Sequence, residues 1–197
     1  MKKRILGIVI FDDVEVLDFA GPFEVFSVTN EHNNNDLFNI ILISVNEEII
    51  NAKNGLKVVS DCSINDVNNL DILLIPGGQG ARPLVNNSEF IHWVQSISKN
   101  CELVLSVCTG ALILAKAGIL NGLKATTHHQ AYGELRQLVA NTEIIEGDKR
   151  FVDNGKVITS GGISAGIDMS FHVIDRFFGK EVSDKTANYM EYRRMVE

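Results

Sequence analysis

The chain has 197 residues, 45% apolar and 22% charged, and its 25 Asp and Glu against 18 Lys and Arg leave a formal net charge of −7. A chain of this length can bury roughly 70% of its unfolded surface, so it needs no disulfide or metal to hold a core. Phosphate binding needs clustered Lys and Arg, which speaks against a nucleic-acid surface, and no apolar stretch approaches the ~18 residues of a membrane span.

Met1–Arg4 followed by Ile5–Phe11 has the outline of a signal peptide, but the apolar run stops at Asp12-Asp13 and no small-residue cleavage site follows. It reads as a first buried strand. In chain order, Ile5–Phe11, Asn39–Val45, Asp71–Ile75, Glu102–Val107 and Lys156–Thr159 are short β-rich runs, most of them apolar throughout, as in parallel strands covered on both faces. Between and after them lie helical patterns: Pro22–Thr29 with Pro22 in the first turn, Ser88–Lys99 with Ser88 as N-cap and Glu89 behind it, Gly110–Ala117, Gln130–Ala140, Ala165–Phe178 and Ser183–Met195. Asp153-Asn154-Gly155 marks a tight hairpin between Arg150–Val152 and Lys156–Thr159. The expectation is one domain over residues 1–197, α/β, with a doubly wound, mostly parallel sheet and helices on both faces.

In such sheets the working crevice lies at the carboxyl ends of the strands. Asp18 follows the first strand, Pro76-Gly77-Gly78 the third and Cys108-Thr109-Gly110 the fourth, while His128-His129 follows a further short run, Lys124–Thr127. Only three residues separate the strand ending at Val107 from the helix former Ala111–Ala117, so Cys108 must stand at the apex of a sharp turn, as a nucleophile does. The helix N-terminus behind it is expected to favour a thiolate. Cys62 and Cys101 lack that context and read as structural. Three cysteines without CxxC spacing suit free thiols in a reducing cytosol, so a cytoplasmic location is expected.

Gly77 and Gly78 would let backbone N–H groups approach a ligand as an oxyanion hole. As a dinucleotide fingerprint the loop fails, because Pro83 stands where a third glycine belongs. Asp18, among apolar neighbours, reads either as a first-turn helix acid or as a general acid–base whose pKa is raised beside the thiol. His128 and His129 are candidate bases, and on an extended segment at most one of them faces the crevice. No HExxH or related spacing occurs, so no metal site is expected.

Asp18-Phe19-Ala20-Gly21-Pro22-Phe23-Glu24, Ile75-Pro76-Gly77-Gly78, Cys108-Thr109-Gly110-Ala111, Ala125-Thr126-Thr127-His128 and Ser160–Asp168 together make the chain resemble the ThiJ/PfpI superfamily of class I glutamine-amidotransferase-like, flavodoxin-like folds, with the isonitrile hydratase-type members most similar. The resemblance implies Cys108 as nucleophile, Asp18 as its acidic partner, Thr109 as the neighbouring hydroxyl and Gly78 in the oxyanion loop. It also implies a homodimer. His129 departs from the aromatic residue often found there in such relatives, which leaves pocket shape open.

Three functions follow as alternatives. The first is addition of water to an isonitrile by Cys108 and Asp18 without a cofactor, the partner being a small-molecule substrate. The second is cysteine-dependent amide or peptide hydrolysis with His128 as base. The third is a non-enzymatic small-molecule or redox sensor. An imidazole at the thiol would favour the hydrolase and a carboxyl there the hydratase. A DNA-binding regulator of the AraC type would need a helix-turn-helix after this region, and from a sequence ending at Glu197 none is expected.

Overall fold

Runs of Ile, Leu and Val too apolar to face water on either side become the middle of a sheet in the computed structural model, which describes residues 2–33, 37–46, 48–147 and 149–194. The elements in order are β1 (Arg4–Ile10), α1 (Val16–Glu31), β2 (Phe38–Ser44), β3 (Ile49–Asn51), β4 (Lys57–Val59), β5 (Cys62–Ser63), β6 (Ile72–Ile75), α2 (Ala81–Leu84) and α3 (Ser88–Ser98). Then come β7 (Leu103–Val107), α4 (Gly110–Lys116), β8 (Lys124–Ala125), α5 (Tyr132–Leu138), β9 (Glu143–Ile144), β10 (Phe151–Asp153), β11 (Val157–Ser160), α6 (Ala165–Phe178) and α7 (Lys180–Tyr189).

Seven strands form the main sheet in the order β10-β11-β7-β6-β1-β2-β5. Every neighbour pair in it is parallel except β10 with β11. The chain steps outward from β1 to β2, then returns to the other side of β1 for β6, β7 and β11. Right-handed crossovers in opposite directions put helices on opposite faces. Accordingly α1, α6 and α7 pack on one another, while α2, α3 and α5 gather around α4. The strand order reverses beside β1, so the crevice opens at the carboxyl ends of β1, β6 and β7. β6 and β7 are buried at every position, and each fully buried Leu, Ile or Val there contributes ~1.5–3 kcal/mol.

The five expected β-rich runs of the main sheet are all present, displaced by one residue at most at either end, while the short run from Lys124 is a strand only over Lys124–Ala125 and lies outside the main sheet. The helix starts differ more. α1 begins at Val16, six residues before Pro22, so Pro22 lies inside the helix and Asp18 in its first turn. The N-cap of α3 is Asn87, whose side chain accepts the Phe90 N–H at 3.0 Å, and Ser88 is the first helical residue. The segment from Gln130 is split into a 3₁₀ turn over His129–Ala131 and then α5. The last helix starts at Lys180, immediately after Gly179, and ends at Tyr189; Met195, its expected end, lies outside the described residues. The expected hairpin joins β10 to β11, with Gly155 at φ 86° and the Asn154 N–H on the Val157 carbonyl.

Candidate active site

β7 delivers Cys108 to its end and α4 begins two residues later, so Cys108 absorbs the whole change of direction. Its φ is +56°, in the left-handed region that costs a side-chain-bearing residue ~1–3 kcal/mol. Surrounding bonds hold it there. The Cys108 N–H donates to the carbonyls of Ser160 and Gly161 at 3.2 and 3.1 Å, and its own carbonyl accepts the buried Thr127 hydroxyl at 2.7 Å. Two glycines make room. A Cβ on Gly110 would stand 2.1 Å from the Ile75 carbonyl oxygen, and one on Gly77 would stand 2.5 Å from the Thr109 nitrogen.

Asp18 points from the first turn of α1 into this turn and is fully buried. One carboxyl oxygen accepts the Gly77 N–H and the other the Ile163 N–H, both at 3.0 Å. Ile163, just beyond β11, is itself at φ +56°. Burial pushes the Asp18 pKa up to about 7, against the pull of those two N–H groups and with a smaller push from Glu15. The Asp18 carboxyl and the Cys108 thiol lie close enough for each to shift the other's pKa. Burial, then the Asp18 charge, pushes the Cys108 thiol up to about 12, opposed by the N–H and hydroxyl of Thr109. The thiolate expected from the helix N-terminus is therefore not the resting form. α4 is only seven residues long, and desolvation beside a carboxyl outweighs its dipole.

The Gly77-Gly78 loop also differs from expectation. The Gly77 N–H is engaged by Asp18, and the Gly78 N–H donates at 2.9 Å to the Thr109 Oγ1, which donates back to the Gly78 carbonyl at 3.1 Å. As oxyanion donors both groups are already occupied; the loop seats Asp18 and Thr109 instead. The donor left for the sulfur is the Thr109 N–H, since the Thr109 hydroxyl proton is committed to the Gly78 carbonyl.

His128 and His129 do not point to opposite sides, because the chain turns into a 3₁₀ helix there rather than running extended. Their rings lie 4.3 Å apart. His128 Nδ1 accepts the Gln130 N–H at 3.3 Å, and burial together with His129 lowers its pKa, so it is a neutral ring whose acceptor is in use. His128 lines the pocket that holds Cys108 and His129 does not.

That pocket measures about 180 Å³ and is bounded by Cys108, Thr109, Gly78, His128 and Ile163, with a polar rim. The rim contains residues the sequence reading did not single out: Glu15 and Lys53, paired at 2.7 Å, and Gln79, Arg82 and Gln130. Arg82 is tied in turn to Glu134. Asp18 lies behind the sulfur rather than on the pocket wall. Cys101 and Cys62 are remote from this pocket, each with its thiol pushed up by burial. Among the described residues no group of three or more His, Cys, Asp or Glu side chains could hold a metal ion, and no helix is long and apolar enough to cross a membrane.

The model of the DJ-1/PfpI family matches residues 3–176. Isonitrile hydratase of Pseudomonas putida is 29% identical over 187 residues, covering 95% of this chain and 78% of that protein. The HTH-type transcriptional regulator GbdR of Pseudomonas aeruginosa is 24% identical over 191 residues, and the chain spans 51% of that regulator's length. Among solved structures, a ThiJ/PfpI family protein from Pseudomonas syringae superposes with a TM-score of 0.86 at 22% identity, over 100% of this chain and 78% of that one. Drosophila melanogaster DJ-1beta superposes with 0.84 at 20% identity, over 98% and 100%. At those identities the structures speak for the fold, a mostly parallel sheet between two layers of helices.

Proposed function

The chain belongs to the DJ-1/PfpI family, and within it we propose that this protein is a cysteine-dependent enzyme that adds water to an isonitrile to give an N-substituted formamide. One observation carries the choice: the Asp18 carboxyl is buried beside the Cys108 turn, held by the Gly77 and Ile163 N–H groups, while the His128 Nδ1 accepts its own neighbouring backbone N–H. The similarity to an isonitrile hydratase supports the same reading.

The chemistry needs a soft nucleophile and a proton delivered to the same carbon. As the Cys108 sulfur bonds to the isocyano carbon, Asp18 takes the thiol proton and passes it to that carbon, leaving a thioimidate, Cys–S–CH=N–R. Water then adds. Its oxygen bonds to the carbon, one proton passes through Asp18 to nitrogen, and a tetrahedral adduct forms. When the C–S bond breaks, the hydroxyl proton returns through Asp18 to sulfur and the formamide leaves. A carboxyl whose pKa is about 7 suits both directions of transfer near neutral pH. The Thr109 N–H, which lies beside the sulfur, offsets its developing charge. At about 180 Å³ the pocket is below the ~300 Å³ at which drug-sized ligands begin, so the substituent on nitrogen is small.

The test is proton NMR of the purified protein with small alkyl isonitriles, watching for the formyl proton. Formamide formation that persists in His128→Ala and vanishes in Cys108→Ala supports the proposal. Amide hydrolysis that requires His128, with no formamide from any isonitrile, replaces it with the hydrolase.

A further inference from the structure

We propose that Arg150 and Asp168 are positioning residues for the Asp18 carboxyl, acting through the loop between β11 and α6. Asp18 is held at one oxygen by the Ile163 N–H, and Ile163 occupies a strained backbone conformation with its side chain exposed. Nothing in the side chain of Ile163 keeps that N–H aimed. What fixes it lies on either side. The Arg150 carbonyl accepts the Gly161 N–H at 2.9 Å, and the Arg150 guanidinium donates to the Ser164 hydroxyl at 3.0 Å. One residue thus grips the loop two positions before Ile163 and one position after it.

Arg150 is held in its turn by Asp168 of α6, with Nε at 2.7 Å and a second nitrogen at 2.6 Å from the same carboxylate oxygen. Asp168 is 9% exposed, and its other oxygen accepts the Tyr192 hydroxyl at 2.9 Å. A buried carboxylate held by hydrogen bonds from two side chains is a rigid anchor, and the planar guanidinium can hold Asp168 and Ser164 together where an ammonium cannot. The path from Tyr192 through Asp168, Arg150 and the Ile163 N–H ends on the acid that faces Cys108.

The inference rests on reading Cys108 and Asp18 as the working pair, and its readout involves no isonitrile. The measurement is the rate of Cys108 alkylation by iodoacetamide against pH, followed by mass spectrometry. The groups that act on Asp18 are Cys108 at the end of β7 and Glu15 ahead of α1, with Lys53 in the field of the pair. All of them stay in place in the variants. Ionisation of Asp18 is expected to give the wild-type profile a midpoint near pH 7, because only the carboxylate can take the thiol proton during alkylation, and Asp18→Asn, which removes the carboxylate, identifies that midpoint.

Arg150→Ala loosens a bond that favours the ionised carboxyl, so the midpoint is expected to rise by at least about half a pH unit. Arg150→Lys, which keeps the charge but not the fork, is expected to give a smaller rise in the same direction. A midpoint unchanged in folded Arg150→Ala, with only the melting temperature lowered, assigns Arg150 a structural role and overturns the proposal. Should Arg150→Ala fail to fold, Arg150→Lys and Ser164→Ala take its place, and an unchanged midpoint in both overturns it equally. Normal midpoint shifts in a protein that makes no formamide would leave this inference standing and remove the hydratase.

Discussion

Cys101 and Cys108 lie at the two ends of one strand, both buried, both with thiols pushed upward by burial, to about 11 and about 12. By those values alone neither is a nucleophile at neutral pH. They differ in company. Cys101 follows α3, has an ordinary backbone, and gives its proton to the Ile97 carbonyl at 3.3 Å. Cys108 is strained, opens onto a pocket, and faces a buried carboxyl whose pKa is about 7. A carbonyl can accept a hydrogen bond but cannot keep the proton; a carboxyl can. Once ionised above pH 7, Asp18 can take the thiol proton as the sulfur attacks, which the Ile97 carbonyl cannot do. Burial silences a thiol unless a buried base shares its proton.

The largest effect expected is on turnover in Cys108→Ala, which removes the covalent step and should leave no detectable formamide by NMR. Next comes Asp18→Asn. General acid–base groups contribute ~10²–10⁴-fold, so about 3–5 kcal/mol of barrier should be lost. Stability gives a separate check. The folded pKa of Asp18 is raised above the ordinary 3.8 to about 7, so the folded chain holds a proton that the unfolded chain releases. The stability due to that proton is complete below pH 3.8 and is lost as pH rises to 7, by about 4 kcal/mol. Urea unfolding of the wild type should show that loss between pH 4 and pH 8 relative to Asp18→Asn. Parallel curves for the two proteins would mean that the carboxyl is not desolvated and that Cys108 resembles Cys101 after all.

A smaller effect is expected where the strained turn is tied down. The Thr127 hydroxyl supplies the short bond to the Cys108 carbonyl, which otherwise accepts only the Ala111 N–H at 3.4 Å. Thr127→Val keeps the shape and removes the bond, leaving a buried acceptor poorly satisfied. Urea titration should show a cost of about 1–2 kcal/mol. The Cys108 sulfur should also move enough to slow alkylation by roughly tenfold. Unchanged alkylation with lowered stability would show that the turn keeps its geometry without this tie.

Much of the comparison was readable in the residues themselves. Central parallel strands must be apolar on both faces, so β1, β6 and β7 announce themselves. The three residues between Val107 and Ala111 leave no room for anything but a sharp turn at Cys108. Asp18 was visible as an acid among apolar neighbours, but Pro22 obscured the helix that carries it, because proline reads as a first-turn residue and here stands within α1. The state of the Cys108 thiol was misread for a different reason: a helix N-terminus is legible in sequence, whereas desolvation depends on everything that closes over the sulfur. Ile163 left no mark, since its contribution is a backbone N–H aimed by a strained φ. Lys53 reaches the rim from the segment between β3 and β4, and no local pattern ties it to Glu15.

The smallest effect belongs to the other thiol. Cys101→Ala removes a buried sulfur and one weak hydrogen bond to the Ile97 carbonyl, which together should cost about 1 kcal/mol in urea unfolding. Turnover and the pH profile of Cys108 alkylation should be unchanged, because the full five-residue length of β7 separates the two sites. In the wild type, Cys101 labelling should still be climbing at pH 9, since its thiol titrates near 11 and no carboxyl shares its proton. Cys108 labelling should show an additional step near pH 7, where Asp18 ionises and can take the thiol proton. If Cys101 also shows a step near pH 7, or if Cys101→Ala slows turnover, the distinction between the two ends of β7 fails and burial cannot be what keeps this thiol inert.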